Sequence, residues 1–360
     1  MGRKQCLLGD IVKFGNGKSR PQETGVYPVY GGNGILGYAA ETNYDGETIV
    51  IGRVGAYCGA TYYENRPLWV SDNALAAKPK NNNNAKFLYY YLKNLDLNQQ
   101  AEGSSHPLVT QTLLNSIDVE VPNQEPEQKA IASVLSSLDD KMDLLHRQNK
   151  TLEAMAETLF RQWFVGAAQE DWGKGDIYNL IDIVYGYPFK SKFFNEEKEG
   201  LPLIRIRDLK KGYSNIYTDE ECEEKHIIDC GDLVAGMDGE FRLYIWAGEK
   251  SVLNQRACKI IPKYDYVPHL FAYGLMKPHL HYYENVKVGT TVIHLGKSDF
   301  DEIRISLPPR EILEEFGEIV NPVHDKLKNI SNQIRTLEKL RDTLLPKLIS
   351  GEVRVEYSAN

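Results

Sequence analysis

The chain has 360 residues, 42% of them apolar and 26% charged, with a formal net charge of −8. That suffices for about two domains with cores of their own and excludes a disordered chain, while the negative balance excludes a protein that clings to nucleic acid through bulk charge. No apolar run is long enough to span a bilayer, MGRKQCLLGD lacks a signal-peptide core, and Cys6, Cys58, Cys222, Cys230 and Cys258 form no C-x-x-C pair; a cytoplasmic chain with reduced thiols, no membrane and no metal is expected.

In chain order, the first notable stretch is FGNGKSR at residues 14–20, which ends as a phosphate-binding loop does. Val12 stands where that loop needs glycine. Next, Gly32-Asn33-Gly34-Ile35-Leu36-Gly37 follows a strand-like run with dinucleotide-fingerprint spacing, yet the segment after it, Tyr38 to Gly46, is too short and turn-rich for the required helix. Both stretches read as turns. Tyr89-Tyr90-Tyr91, beside Phe87 and Leu88, are expected to pack within a helix rather than stack on bases. Ile117-x-Val119-x-Val121-Pro122 alternates as a strand does and stops at proline.

A long helix follows. Steps of four and three from Ile131 land on Leu135, Leu138, Met142, Leu145, Asn149, Leu152, Ala156, Leu159 and Trp163, the seam of a coiled coil in which Asn149 is expected to set the register. Beyond it the chain is written a second time. Leu8-x-Asp10-Ile11-Val12 recurs as Leu180-x-Asp182-Ile183-Val184, and at the same spacing Lys18-Ser19 recurs as Lys190-Ser191. Gly52-x-x-Gly55 recurs as Gly236-x-x-Gly239, each expected at a turn that needs positive φ or close backbone approach. Ala74 with Pro79-Lys80 recurs as Ala257 with Pro262-Lys263, Gly103-Ser104-Ser105 as Gly289-Thr290-Thr291, and the strand before the helix as Ile303-x-Ile305-x-Leu307-Pro308. A second seam runs through Phe316, Val320, Val323, Leu327, Ile330, Ile334, Leu337, Arg341, Leu344 and Leu348, each 185 residues after its match in the first.

The order is therefore globule (1–122), helix (123–166), globule (167–308), helix (309–351) and a tail (352–360). If the two helices pair with each other they run antiparallel, over about 48 Å at ~1.5 Å per residue, and relate the globules by an approximate two-fold axis. Pairing between different chains would give a dimer with the same seam. The expected fold is α/β (α+β): two similar globular heads separated by an antiparallel coiled coil of two long helices, a pseudo-two-fold internal repeat. No catalytic motif occurs, and the acidic run DEECEE at 219–224 reads as a solvated face. Two similar heads held apart in opposite orientations suit a split, asymmetric site on duplex DNA.

The residues also carry a resemblance. The tail 337–351, LEKLRDTLLPKLISG, is similar to the end of the specificity subunit of Type I restriction-modification enzymes. Pro122-Asn123-Gln124-Glu125-Pro126-Glu127-Gln128-Lys129-Ala130-Ile131-Ala132 resembles that family's helix entry, and Leu152-Glu153 with Leu159-Phe160-Arg161-Gln162-Trp163-Phe164 its exit. The resemblance implies a non-catalytic subunit with two target-recognition domains, each reading one half of a split site on double-stranded DNA, and paired helices as the ruler between them. It implies two modification (methyltransferase) subunits that methylate adenine, joined by restriction (translocase/nuclease) subunits. S-adenosylmethionine, ATP and Mg would sit on those partners, leaving no cofactor on this chain. One departure is that the second helix begins Pro308-Pro309-Arg310-Glu311, with Pro322 near its start, so a kink or delayed start is expected.

Base and phosphate contacts favour Arg, Lys, Asn, Gln, Ser and Thr on loops. In head one the candidates are Lys18, Ser19, Arg20, Asn33, Arg53, Asn73 and the turn Ser104, Ser105, His106. In head two they are Lys190, Lys192, Arg205, Arg207, Lys210, Lys211, Arg242, Gln255, Arg256, Thr290 and Thr291, with Arg205 and Arg207 expected to share one face of a strand. Two rival readings stand beside this one: a coiled-coil adaptor whose heads bind protein, and an enzyme with an unrecognised site in one head.

Overall fold

The computed structural model describes residues 2–101, 107–168, 171–286 and 294–356. It divides into two compact units, Met1–Lys141 with Leu337–Asn360, and Met142–Thr336. In the first unit the chain runs β1 (Arg3–Leu7), α1 (Leu8–Ile11), β2 (Val12–Asn16), β3 (Tyr27–Gly31), β4 (Gly34–Ala39), β5 (Thr48–Gly52), β6 (Thr61–Glu64), β7 (Trp69–Val70), β8 (Ala74–Pro79), α2 (Ala85–Asn94), α3 (Gln111–Ser116), β9 (Asp118–Pro122) and the first part of α4 (Glu125–Arg161). The second unit takes α4 onward through a π-helical turn at Gln162–Gly166. It continues with β10 (Gly173–Asp176), β11 (Ile181–Tyr185), β12 (Phe194–Asn195), β13 (Leu201–Ile204), α5 (Ile206–Leu209), β14 (Tyr217–Thr218), β15 (Ile227–Ile228), β16 (Leu233–Gly236), β17 (Leu243–Ile245), β18 (Ser251–Leu253), β19 (Ala257–Pro262), α6 (His269–Val286), α7 (Lys297–Asp301), β20 (Arg304–Leu307) and α8 (Arg310–Ser350), whose last turns belong to the first unit.

The two units share the strand order of their central sheets and entry ribbons. The central sheet is β2-β8-β5-β6 in the first and β11-β19-β16-β17 in the second, antiparallel throughout. A second sheet, three-stranded (β4-β3-β7) in the first unit and five-stranded (β12-β14-β13-β18-β15) in the second, contains one parallel pair in each, β3 with β7 and β13 with β18. A two-stranded ribbon, β1-β9 or β10-β20, leads into the long helix that follows. The composition of β8, Ala-Leu-Ala-Ala, follows from its place: Leu75 and Ala77 pack with Ile49 and Ile51 on the helix-covered face, while Ala74 and Ala76 pack with Val50, Tyr30 and Val70 on the other. A strand buried on both faces has no polar alternation, and small side chains let the second layer approach. Its counterpart β19 splits the same way, Ala257 to one cluster and Cys258 and Ile260 to the other.

The repeat is real, but its first segment is registered differently from the sequence match. Val12 lies opposite Pro79 and Ile181 opposite Pro262. Since Pro79 and Pro262 correspond, the counterpart of Val12 is Ile181, three residues before Val184. The turns ahead of these strands agree. Asp10 accepts from the Leu7 N–H and Asn179 from the Asp176 N–H; the Lys80 ammonium donates to the Gly9 carbonyl and the Lys263 ammonium to that of Tyr178. Lys18-Ser19 and Lys190-Ser191 are therefore not equivalent. The recurrence of Leu-x-Asp-Ile-Val reflects two turn-to-strand passages with similar apolar spacing, not one position.

Within each unit the long helices run antiparallel. In the first, Asp139 meets Arg341 at 3.1 Å, while Arg3, paired with Pro122 just ahead of α4, donates to the carbonyl of Ile349 near the end of α8. In the second, Asn149 donates to the Ser331 hydroxyl at 3.2 Å and the Trp163 ring lies 5.7 Å from that of Phe316. Every seam residue predicted from the heptad steps is buried or half-buried. The buried face is wider than the seam, because Phe160, Leu313, His324 and Leu345 also turn inward against the heads. The delayed start expected for α8 does not occur: Arg310 follows the diproline directly as the first helical residue, and Pro322 lies inside an uninterrupted helix. Pro309 fits just ahead of the helix, where its carbonyl accepts from the Leu313 N–H at 3.2 Å and the N–H it lacks would have no helical partner. Among the described residues no helix is long and apolar enough to cross a membrane.

Candidate nucleic-acid interface

In each unit three segments meet at one corner. In the first they are the β3–β4 turn with Asn33, the loop from Arg53 to Gly55, and Ser71 to Asn73. The Ser71 N–H donates to the Tyr30 carbonyl at 2.8 Å and the Arg53 N–H to the Asn73 carbonyl at 3.0 Å. A Cβ added to Gly32 would lie 3.5 Å from that same Asn73 oxygen, so the turn sits against the other two segments. Asn33 and Asn73 are exposed, and Arg53 is half-buried with its Nε unpartnered among the described residues.

The glycines of both misleading motifs have structural duties here. A Cβ on Gly17 would fall 1.8 Å from the Ser71 carbonyl oxygen, and Gly34 turns the β3–β4 hairpin at φ +78°. Lys18 is tied beside them by its backbone, whose carbonyl accepts from the Trp69 indole at 3.2 Å, while the side chains of Lys18, Ser19 and Arg20 are exposed. The guanidinium of Arg20 lies against Gly37.

The second unit builds the same corner from different side chains. Asn254 donates its N–H to the Ile204 carbonyl and Met237 to that of Arg256, matching the bonds of Ser71 and Arg53. Gly186 repeats Gly17: its Cβ would meet the Asn254 carbonyl oxygen at 2.0 Å. Gly52 and Gly236 are both forced by close carbonyls, at 2.2 and 2.4 Å, and Gly55 and Gly239 both have positive φ, +74° and +71°. Where the first unit has its hairpin turn, the second has the short helix α5. Arg205 and Arg207 therefore do not share a strand face. Arg205 precedes α5 as its N-cap and Arg207 lies within it, because the Asp208 carboxylate accepts from the Arg205 N–H and closes a helical turn.

The same turn brings Arg205, Arg207 and Lys210 to one cavity of about 590 Å³, whose other walls are Ile206, Glu240, Asn254, Gln255 and Arg256. Of these, Asn254 and Glu240 were not predicted from sequence, nor were the two aspartates that hold the arginines. Arg205 Nε donates to buried Asp208 at 2.9 Å. Arg256, in the left-handed region at φ +77°, donates to Asp238, which also bonds His294. Burial pushes the Asp238 carboxyl up, but the bonds from His294 and Arg256 outweigh it and hold the carboxyl below its usual range. Counting back from Ala74 and Ala257 would have aligned Asn73 with Arg256 and Ser71 with Asn254, the one signal in the sequence for this pairing.

Other candidates lie elsewhere. The Lys190 N–H donates to Glu220 at 2.7 Å, Lys192 covers the Phe193 ring at 4.7 Å, and Arg242 faces Glu284 at 3.7 Å. None of these lines the cavity, nor does exposed Lys211. Ser104, Ser105, His106, Thr290 and Thr291 lie outside the described residues. Tyr90 and Tyr91 are buried in α2, and Tyr90 donates to Asp139 at 2.7 Å, so they serve packing as expected.

Against this geometry stand the comparisons with known proteins. The family model described as the Type I restriction modification DNA specificity domain matches residues 4–154 and, a second time, 169–339. The chain is similar to the Type I restriction enzyme MjaIX specificity subunit of Methanocaldococcus jannaschii, 28% identical over 321 residues that cover 77% of this chain and 71% of that one. It is 30% identical over 191 residues to the EcoBI specificity subunit of Escherichia coli, covering 52% and 40% respectively. Among solved structures, the crystal structure of a Type I restriction-modification S subunit from M. genitalium superposes with a TM-score of 0.61 at 17% identity, over 99% of this chain and 97% of that one, which shows a shared fold.

Proposed function

The chain belongs to the family of Type I restriction-modification specificity subunits, carrying the DNA specificity domain twice, and from that premise we propose that each of its units reads one half of a split, asymmetric site on double-stranded DNA. The observation that carries this reading is the duplicated corner. Its glycines and tying hydrogen bonds recur in both units, down to the positive φ of Gly55 and Gly239, while the side chains it presents are Asn33 and Asn73 in one and half-buried Arg205 with exposed Arg207, Lys210 and Arg256 in the other. A retained scaffold with exchanged polar tips suits two readers of different sequences; a catalytic site would keep its tips.

On this reading the chain performs no chemistry itself. Two modification subunits dock on the paired helices and methylate adenine with S-adenosylmethionine, restriction subunits supply ATP- and Mg-dependent translocation and cleavage, and the complex works in the cytoplasm. Partners also provide phosphate contacts, which fits the net charge of −8. The helices set the gap between the half-sites. Removing one heptad from both shortens the pair by about 10 Å, or roughly three base pairs at ~3.4 Å each. The gap should then shrink while the half-sites stay the same; an unchanged gap would overturn the ruler.

The decisive experiment is a base-resolution map of adenine methylation in the source genome with the gene intact and deleted. Disappearance of a motif of two short half-sites around a fixed gap is the expected result. Unchanged methylation, together with no sequence-specific DNA binding when the chain is mixed with its modification subunit, would favour the adaptor reading instead.

A further inference from the structure

The cavity of the second unit holds more information than its positive charge. Arg205, Arg207, Lys210 and Arg256 face it together with Glu240, and behind them stand Asp208 and Asp238. A phosphate trap would leave its cations unpaired. Here two of the four are already bound to carboxylates, and a further carboxylate lines the wall, so the cavity is poorly suited to a phosphate anion and well suited to a neutral group rich in acceptors.

The ties also fix geometry. A guanidinium has five donors in one rigid plane. Arg205 gives Nε to Asp208, which leaves its two terminal nitrogens as a forward fork. Arg256 gives Nη1 to Asp238, which leaves Nε and Nη2 as a side-on fork. Its side chain stays 56% exposed despite that bond, so the fork is open to a ligand. The left-handed backbone of Arg256 is uncommon for a residue with a long side chain, and such conformations gather at binding sites whose surroundings over-determine them. The surroundings here are the Met237 N–H on the Arg256 carbonyl and Asp238 on its guanidinium.

Only one base edge matches a fork made purely of donors. In the major groove guanine offers two adjacent acceptors, N7 and O6, whereas adenine pairs an acceptor with a donor, cytosine offers a donor and thymine a single acceptor beside a methyl group. Resting on the reading of the chain as a DNA-recognition subunit, we propose that the half-site read by the second unit contains guanine at two positions, recognised by Arg256 and Arg205 through N7 and O6, with Asp238 and Asp208 acting as positioning residues. The first unit has no arginine at the matching places. Gly31 stands in for Arg205 and Asn73 for Arg256, so the two half-sites are read by different chemistry.

The test starts from the methylated motif and uses the full chain assembled with its modification subunits on short duplexes. Arg256→Gln should weaken binding by about 10- to 100-fold and abolish the preference for guanine at one position of one half-site, leaving the other half-site's requirement intact. Arg256→Lys, which keeps the charge, should lose the same preference while retaining non-specific affinity. Replacing that guanine with 7-deazaguanine, which lacks the N7 acceptor, should weaken the unmodified complex about 10-fold and leave the Arg256→Gln complex unaffected. A half-site without guanine, or a variant that weakens all sequences equally and lowers the salt dependence of binding, would overturn the proposal in favour of a phosphate grip. Absence of any sequence-specific binding by the unmodified complex would overturn the DNA-recognition reading and this proposal together.

Discussion

The two units differ in the side chains they place at the shared corner and agree in the glycines that shape its backbone. Gly17 and Gly186, Gly52 and Gly236, Gly55 and Gly239 occupy the same backbone positions under the same constraints, yet a hairpin turn with one asparagine in the first unit becomes a helical turn with three cations in the second. The lesson is that duplication preserved what fixes the path of the chain and released what projects from it. The seam makes the same distinction. The first unit half-buries an ion pair, Arg341 with Asp139, and the second a single amide, Asn149, whose Oδ1 is buried without a partner among the described residues.

The strongest challenge to the equivalence is a paired substitution. Gly17→Ala and Gly186→Ala each drive a Cβ into a backbone carbonyl that cannot swing aside, and each should destabilise its own unit by about 3 kcal/mol. Denaturant unfolding of both variants checks this; a tolerated Gly186→Ala would show that the register inferred from the strands is wrong. In the seam the expected effects are smaller and opposite in sign. Arg341→Ala leaves Asp139 part-buried without its cationic partner, with only the Tyr90 hydroxyl still donating to it, and should cost the first unit about 2 kcal/mol. Asn149→Leu removes a buried amide oxygen that has no partner among the described residues, at the loss of the bond to Ser331, and should be neutral or stabilise the second unit by about 1 kcal/mol. Equal losses from both would erase the contrast drawn between the seams.

The mildest effect near neutrality concerns pH. Every described histidine lies in the second unit. Burial, reinforced by the neighbouring His324, pushes His269 down from 6.5 to about 4, and the two rings stack at 4.8 Å. Folding therefore favours the neutral ring. The second unit's stability is complete above about pH 6.5 and declines as the pH falls toward about 4, because the unfolded chain binds the proton first. The first unit should hold through most of that window. Melting curves at pH 7 and pH 5 would reveal the divergence, and His269→Gln should reduce it; a parallel decline of both units would place the acid sensitivity elsewhere.

Much of this was legible beforehand. Every position that the heptad steps chose is buried or half-buried, because a helix's buried face repeats along its own sequence. The Gly-x-x-Gly pairs were correctly assigned to turns for the same local reason. The slipped register was not legible, since a short apolar pattern fits two alignments a turn apart and only the strand opposite, Pro79 or Pro262, chooses between them. Nor was α5, where a run that alternates like a strand closes into a helical turn once Asp208 accepts from the Arg205 N–H.

By itself, then, the sequence determined the duplication, the two long helices and the places where the backbone must turn, all of which are encoded in spacing between neighbours. The tertiary structure decided which distant segments share a corner. Arg205, Glu240 and Arg256 converge on one cavity because hydrogen bonds from Asn254 to Ile204 and from Met237 to Arg256 tie separate loops together, and such partners have no fixed separation along the chain.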